Sequence, residues 1–227
     1  MAARLSVIRQ RFLPLLACAG FAGALAGCDT QSDMPQSDLL KMGQLIYHQI
    51  TGGSSESVPR SQVAAIPYAT LGVRLGSSSE AMFVLQSNSG AALQWVGGTQ
   101  FAIATHDGRI FRTSGFVHNL SGFLDETPAG GQGAPVIHDY RYDLADMNAY
   151  GVAVRCTQHE VGQEQIVIIG DTHATLHVID ECTAPQLDWN FSNEFWKDAA
   201  TGYIWRSVQY VHPGLDPITL ETLRPAG

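Results

Sequence analysis

Short apolar runs separated by turn residues dominate the chain from Val63 onward. The runs are rich in Val, Ile, Phe, Trp and Thr, and they recur at roughly ten-residue spacing. Two of them flank "HDGR" at 106–109, and an Asp-Gly pair between alternating strands is typical of a β-hairpin. This pattern favours an all-β, mainly antiparallel fold, either a sandwich or a barrel-like body.

The strand region also contains an internal similarity. "GRIFRTSGF" at 108–116 aligns with "GYIWRSVQY" at 202–210, and "MFVLQSNSGAALQWV" at 82–96 aligns with "QIVIIGDTHATLHVI" at 165–179. The matches fall in the same order, which predicts two repeated β-meander units. Chance similarity between alternating strands is the competing explanation.

These patterns divide the chain into six parts. A helix is predicted in "SDLLKMGQLIYHQITGG", where apolar residues recur at helical spacing before a Gly-Gly pair. A later segment carries Gly and Pro without any periodicity, which indicates a loop or linker. The parts are a leader at 1–27, a tether at 28–37, an N-terminal helix and turn at 38–62, a first β unit at 63–120, a linker at 121–137, and a second β unit with its C-terminal tail at 138–227.

The first 27 residues have the composition of an export signal. Three arginines and no acidic residue precede an apolar run at 13–25, which is short for a membrane-spanning helix. "LAGC" at 25–28 then resembles the lipobox of bacterial lipoproteins, in which Cys28 would carry the lipid and become the new N-terminus. An ordinary signal peptide with a chance cysteine is the alternative.

Removal of this leader would make the chain strongly acidic. It takes away three of 13 basic residues and none of 21 acidic ones, which leaves 10 against 21 and a net charge of −11. Such a chain is a poor candidate for binding nucleic acid or anionic lipid.

Two cysteines remain beyond the lipobox, Cys156 and Cys182. Two cysteines in an exported chain most often form a disulfide. A pair of metal ligands or two free buried thiols are the alternatives.

Sequence signatures of catalysis and of metal binding are missing. The chain has no Gly-x-Ser-x-Gly elbow and no phosphate-binding loop. His173 and His177 lie four residues apart, but in a strand context, and no pair of histidines has a Cys or an acid at zinc spacing. We therefore expect a non-enzymatic protein without cofactor or metal, although two glycosidase carboxylates from distant segments would leave no local pattern.

Arg112 and Arg206 occupy matching positions in the two aligned segments, each between apolar residues of one strand face. A buried arginine needs an acidic partner. We therefore predict a structural arginine–carboxylate pair in each unit and prefer this role to ligand binding.

Aromatic residues concentrate late in the chain, in a segment that the first unit lacks. "QLDWNFSNEFW" at 186–196 has the features of an inserted loop, and loops on a repeated scaffold often carry binding residues. The rings could equally cap the open end of a sheet. The candidate binding surface consists of Trp189, Phe191, Trp196, Trp205 and Gln209.

Taken together, several of these segments resemble the YjbF/GfcB (YmcC-type) family of lipoproteins. They are the lipobox, "IPYATLGVRLG", "GRIFRTSGF", the spacing of Cys156 and Cys182, and "TGYIWRSVQYVHPGLDPITLETLRP". The resemblance extends from about residue 40 to the end of the chain and includes no catalytic signature. It implies Cys28 as the lipid site and a disulfide between the other two cysteines.

The same resemblance implies a lipid-anchored, periplasm-facing protein of the Gram-negative cell envelope. Its partners would be an outer-membrane β-barrel protein and a soluble periplasmic protein of the same operon, with polysaccharide as a further candidate. We expect a non-enzymatic binding or assembly factor in exopolysaccharide or capsule secretion. The alternatives are a polysaccharide-modifying enzyme and a purely structural partner of the barrel protein. Asp29 resembles an inner-membrane retention signal, and the choice of membrane stays open.

Overall fold

A computed structural model describes residues 57–128 and 136–226, and nearly all of its regular structure is β-strand. The single α-helix among these residues, α1, is short and spans Arg60–Ala64. The strands are β1 (Thr70–Leu75), β2 (Ala81–Ser89), β3 (Ala92–Gly97), β4 (Phe101–His106), β5 (Arg109–Ser114), β6 (Gly122–Asp125), β7 (Val136–Leu144), β8 (Ala149–Ile168), β9 (Asp171–Ala184), β10 (Trp189–Asp198), β11 (Ile204–Gln209) and β12 (Ile218–Arg224).

All twelve strands belong to one antiparallel sheet in the order β5-β4-β3-β2-β1-β12-β11-β10-β9-β8-β7-β6. Strands that follow one another in sequence are neighbours, except β5 and β6 at the two edges, and β1 and β12 join the two ends of the strand region. The outermost strands β5 and β6 approach each other, and the N–H of Thr113 donates to the carbonyl of Leu120 at 2.9 Å. The sheet is therefore nearly closed and barrel-like, which confirms the predicted all-β class.

The Asp-Gly hairpin predicted from "HDGR" lies between β4 and β5. Asp107 has φ of 47° and Gly108 has φ of 75°. Two successive residues in the left-handed region match the twist of a two-residue hairpin, and Asp and Gly tolerate this region best. The turn therefore forms for the reason that the sequence indicated.

One hydrophobic core runs through both predicted β units. Phe83 and Ile103 from the first unit pack in the same cluster as Tyr142, Val154 and Ile218 from the second. The described strands of the two units thus share a continuous sheet and a common interior. The internal duplication itself stays a prediction.

A second, smaller cluster lies where the β8–β9 hairpin extends past β7. Among the described residues, the pairing of β7 with β8 stops at Val136 and Gln158, and the rest of β8 pairs with β9. The end of this hairpin packs against α1, and the side chain of Arg60 donates to the carbonyl of Ile169 at 2.9 Å and forms an ion pair with Asp171. The buried residues of the cluster are Val58, Val63, Met82, Ile166, Ile168, Trp196 and Leu223.

The predicted disulfide is present. Cys156 on β8 and Cys182 on β9 lie directly opposite each other in the sheet, with Cα atoms 4.0 Å apart and both sulfur atoms joined. Both residues are buried in the main core. The bond therefore fixes the register of the longest hairpin from inside the barrel.

Several predictions fall outside the described residues. They are the leader, the lipid site at Cys28, the tether and the helix predicted in the segment 38–50. Among the residues that the structure does describe, no helix is long and apolar enough to cross a membrane.

The aromatic segment predicted as an inserted loop is a strand, and that prediction is wrong. Residues 189–198 form β10, which pairs with β9 along its whole length and with β11 over its second half. Phe191, Asn193 and Phe195 are buried in alternation, a period of two that indicates a half-buried strand. The segment therefore supplies one wall of the barrel.

Candidate functional site

A cavity of about 690 Å³ opens at the end of the barrel where β5 and β11 begin and β6 and β10 end. We call it the Arg109 cavity. Rings of Phe111, Phe123, Tyr140 and Phe195 line it together with polar groups that come from β5, β7, β8 and β10. An apolar wall with a few convergent polar groups is typical of a small-molecule binding site.

Arg109, the first residue of β5, forms a buried ion pair inside this cavity. Its Nη2 donates to Oδ2 of Asp180 on β9 at 2.6 Å, and the exposed fractions of the two side chains are 18% and 0%. Its guanidinium carbon lies 4.5 Å from the ring centre of Phe195 and 5.2 Å from that of Tyr140. The aromatic contacts and the carboxylate together hold the cation in one orientation.

The ion pair continues into a chain of hydrogen bonds across the cavity. Gln158 donates its amide to Oδ1 of Asp180 at 2.8 Å, so both carboxylate oxygens accept a hydrogen bond. Lys197 on β10 donates to Oε1 of Gln158 over a longer distance of 3.4 Å. Burial, with a further contribution from Arg109, holds the pKa of the Lys197 ammonium below its usual value despite the attraction of Asp180.

Two nitrogen atoms in this region are buried and have no hydrogen-bond partner among the described residues, Nη1 of Arg109 and Nε2 of His138. The His138 ring stacks on Tyr140 with ring centres 5.8 Å apart, and burial lowers the pKa of His138. A buried polar atom without a partner costs about 1–3 kcal/mol. Such atoms at a cavity wall mark a place that water or a ligand completes.

The two tyrosines behind Arg109 stay neutral. Burial raises the pKa of Tyr140 above its ordinary value and raises the pKa of Tyr142 to about 12. Two cations, Arg109 and Lys197, thus line the cavity, and the carboxylate of Asp180 lies buried behind Arg109.

A second cavity of about 680 Å³ adjoins the first at the same end of the barrel. Trp95, Tyr203 and Trp205 line it, and it shares Asp107 and Ile204 with the Arg109 cavity. The β4–β5 turn separates the two, since a Cβ atom on Gly108 would lie 2.8 Å from Cβ of Ile204. Glycine at this position lets the turn pack directly against β11.

Gln209, predicted as a binding residue, instead holds this turn in place through hydrogen bonds. It is 2% exposed, and its amide nitrogen donates to the carbonyl of Gly108 at 2.9 Å and to the hydroxyl of Ser207 at 2.8 Å. Its amide oxygen accepts the N–H of Ile110 at 2.9 Å. Gln209 therefore has no free group for a ligand.

The other residues of the predicted binding surface are divided between two clusters. Trp189 and Phe191 stack with ring centres 3.9 Å apart and pack on the main core. Trp196 is buried in the second cluster, where its indole nitrogen donates to Glu164 at 2.8 Å. The predicted residues thus do not form one surface, because β10 directs alternate rings to opposite faces of the sheet.

Trp205 alone among them lines a cavity. Its ring lies 3.8 Å from that of His173, and its indole nitrogen donates to Oδ2 of Asp198 at 3.1 Å. Tyr203 packs against it edge-on and forms, with it, part of the wall of the second cavity.

The two arginines predicted to be structural differ in their surroundings. Arg206 donates to Glu221 at 2.6 Å and lies over the ring of Trp196. Arg112 is exposed and forms no ion pair with a carboxylate in the described part of the chain, so its predicted structural role is wrong. The pairing of β4 with β5 shifts between Ala104 and Thr105, which makes Phe111 a bulge and turns Arg112 outward.

One other cluster, at the opposite end of the barrel, contains metal-ligand types: His118, Asp146 and His212. Nδ1 of His118 lies 2.6 Å from Asp146, Nε2 of His212 lies 3.2 Å from the same carboxylate, and the two rings stack. The N–H of Gly214 donates to Nδ1 of His212 at 2.9 Å, which places the histidine proton on Nε2, facing Asp146. We interpret the cluster as a tie between three loops, held by the hydrogen bond between His118 and Asp146 and by the stacked rings, because a metal ion would need that position free of a proton.

Comparisons with known proteins agree with this architecture. The sequence model of a family described as "Group 4 capsule polysaccharide lipoprotein gfcB, YjbF" matches residues 43–223. The lipoprotein GfcB of Escherichia coli (strain K12) is 27% identical over 215 residues, which cover 91% of this chain and 96% of the relative. The crystal structure of the hypothetical lipoprotein YmcC from Escherichia coli (K12) has a similar fold, with a TM-score of 0.65, 23% identity, and coverage of 86% of this chain and 98% of that one.

Proposed function

This chain belongs to the YjbF family of group 4 capsule polysaccharide lipoproteins, and from this membership we propose that it is a non-enzymatic factor in the secretion of envelope polysaccharide. Its Arg109 cavity would hold a segment of the saccharide during that process. The proposal assigns to the protein a binding role at one end of the barrel-like sheet.

The observation that carries the proposal is the combination of aromatic walls and unpaired donors in one open cavity. A sugar ring has apolar C–H faces and a polar rim of hydroxyl groups. Phe111, Phe123 and Phe195 offer flat apolar surface for the faces, while Arg109 and Lys197 offer donors for the rim. A purely hydrophobic ligand would leave the buried Nη1 of Arg109 without a partner.

The hydrogen bonds of Asp180 favour binding over catalysis. Both of its oxygens accept hydrogen bonds, from Arg109 and from Gln158, so neither is placed to give or take a proton from a ligand. The carboxylates that line the cavity, Asp107 and Asp125, are exposed at its rim.

The location of the protein is part of the proposal. Cys28 would be lipidated and would hold the chain on a membrane of a Gram-negative envelope, with the barrel in the periplasm. The disulfide Cys156–Cys182 supports this, because such bonds persist in oxidising compartments. The partners would be an outer-membrane β-barrel protein and a soluble periplasmic protein of the same operon.

Calorimetric titration of the full chain in detergent micelles tests the binding role. The ligand is capsular polysaccharide from the bacterium that encodes the chain, and Phe111→Ala should weaken binding at least tenfold because it removes a wall of the cavity. The control is Tyr150→Ala, which removes an exposed ring elsewhere on the sheet. Equal affinities for the two variants would rule out the Arg109 cavity as the site.

The same samples separate the alternatives. Release of reducing ends or acyl groups at a catalytic rate would identify a polysaccharide-modifying enzyme. No binding, combined with stable co-purification of the outer-membrane barrel protein, would identify a purely structural partner.

A further inference from the structure

We propose that the Arg109 cavity selects an acidic saccharide, whose carboxylate is held between the free donors of Arg109 and Lys197. This inference rests on the proposed function and deepens it by naming the chemical class of the bound sugar, a residue with one carboxylate such as a uronic acid.

The first argument is the charge inside the cavity. Asp180 is fully buried and neutralises one of the two cations, which leaves one positive charge uncompensated on the inner wall. Asp107 at the rim is 76% exposed, and Asp125 is also exposed, so solvent and salt screen their charges. A single carboxylate would balance the inner charge, and a neutral sugar would not.

The second argument is the orientation of Arg109. Its Nη2 is occupied by Asp180, and its plane is fixed by the rings of Phe195 and Tyr140, while its buried Nη1 has no partner. Nη1 is itself buried, so a carboxylate oxygen would complete the hydrogen bonding of the guanidinium by entering the wall beside it. Because folding has already ordered this side chain, little further entropy is lost when the ligand binds.

The third argument is the weak hydrogen bonding of the Lys197 ammonium group. Its one hydrogen bond to a described residue is the long contact to Gln158, at 3.4 Å. An ammonium group has three donors, so two remain for a ligand. A carboxylate adds the attraction between opposite charges to these hydrogen bonds, and a neutral hydroxyl group lacks it, so the ammonium would discriminate between the two.

The test compares two probes that differ in charge and in one methyl group per sugar residue. One is an oligogalacturonide with free carboxylates, and the other is the same oligomer with every carboxylate methyl-esterified. We expect the free acid to bind the full chain at least tenfold more tightly in calorimetry at low salt. Lys197→Gln should reduce this ratio at least fivefold, whereas Arg155→Gln should preserve it, since Arg155 is an exposed arginine paired with Asp139 outside the cavity.

Arg109 needs a paired variant, because its removal alone would leave Asp180 buried without a cation. The double variant Arg109→Gln with Asp180→Asn keeps a neutral hydrogen-bonding pair at the site, and circular dichroism checks its fold. We expect the double variant to bind the free acid and the ester equally. Equal affinity of the two probes for the native chain would overturn the choice of an acidic sugar while leaving saccharide binding intact. Binding of neither probe would overturn it as well, and the capsule titration decides separately on the proposed function.

Discussion

Gln209 holds Arg109 in position without touching its side chain. The amide of Gln209 bonds to the carbonyl of Gly108 and to the N–H of Ile110, the residues directly before and after Arg109 in the chain, each at 2.9 Å. The side chain of Gln209 on β11 thus gives these two backbone groups the hydrogen bonds that a neighbouring strand would otherwise provide. The start of β5 is thereby fixed across the end of the barrel, and with it the direction in which the guanidinium enters the cavity.

Replacement of Gln209 by leucine should destabilise the fold and weaken ligand binding together. The change leaves the buried N–H of Ile110 without a partner and should cost about 2–3 kcal/mol in the free energy of unfolding. Urea denaturation measures the cost, and calorimetry with the free-acid oligogalacturonide measures the loss of affinity. Gln165→Leu, at an exposed position of β8, is the control. Equal unfolding free energies for the two variants would contradict the role assigned to Gln209.

Reduction of the disulfide should lower stability without removing the fold. Cys156 and Cys182 are 26 residues apart, and closing a loop of this length is worth about 3–4 kcal/mol in the chain-entropy account. Urea denaturation with and without dithiothreitol measures the difference. A midpoint that is insensitive to the reductant, with free thiols verified by mass spectrometry, would show that the sheet register needs no covalent support.

Local patterns in the sequence were sufficient for the features that depend on neighbouring residues. The turn at Asp107 and Gly108 follows from backbone preference alone, and the disulfide follows from the two cysteines that lie beyond the predicted leader and lipobox. Strand β10 could also have been predicted from the sequence, because Phe191, Asn193 and Phe195 alternate with polar residues. Their aromatic composition instead suggested a binding loop, so composition outweighed periodicity and the prediction was wrong.

The candidate site depends on contacts that no local pattern encodes. Arg109 and Asp180 are 71 residues apart and meet only because the sheet curves until β5 approaches β6. The bulge at Phe111 has no sequence signature, yet it turns Arg112 to solvent and so makes Arg109 the buried arginine of β5. The sequence offered one indication of this site, an arginine directly after a hairpin turn. That indication does not identify Asp180 as the partner of Arg109.

Asp180→Asn should be strongly destabilising because it leaves the charge of Arg109 buried and unpaired. Breaking one partner of a buried ion pair costs about 3–5 kcal/mol. The matched control is Asp139→Asn, which breaks the exposed pair with Arg155 and should cost about 1 kcal/mol or less. Thermal and urea unfolding of the two variants give the comparison. Similar losses would mean that water reaches Arg109 and that the cavity is less desolvated than its contacts indicate.

Asp198 should make the stability of the β10–β11 turn depend on pH under acidic conditions. Its carboxylate accepts hydrogen bonds from the indole of Trp205 and from the backbone and hydroxyl of Thr201, and these bonds hold the pKa of Asp198 at about 2, below the ordinary value of 3.8. A depressed carboxyl pKa stabilises the folded state above the ordinary value, and this contribution disappears as the pH falls through the folded value. The stability advantage of the native chain over Asp198→Asn should therefore be constant near neutral pH, shrink between pH 4 and pH 2, and vanish below.

Urea unfolding at a series of pH values measures this difference, and tryptophan fluorescence reports the local change at Trp205. The control is Asp188→Asn, which changes an exposed carboxyl in the β9–β10 connection and keeps a residue that tolerates the left-handed backbone there. The free energy of unfolding of this variant is measured over the same pH series. If both variants gave the same profile, the acid sensitivity would belong to the protein as a whole, and the hydrogen bonds of Asp198 would not explain it.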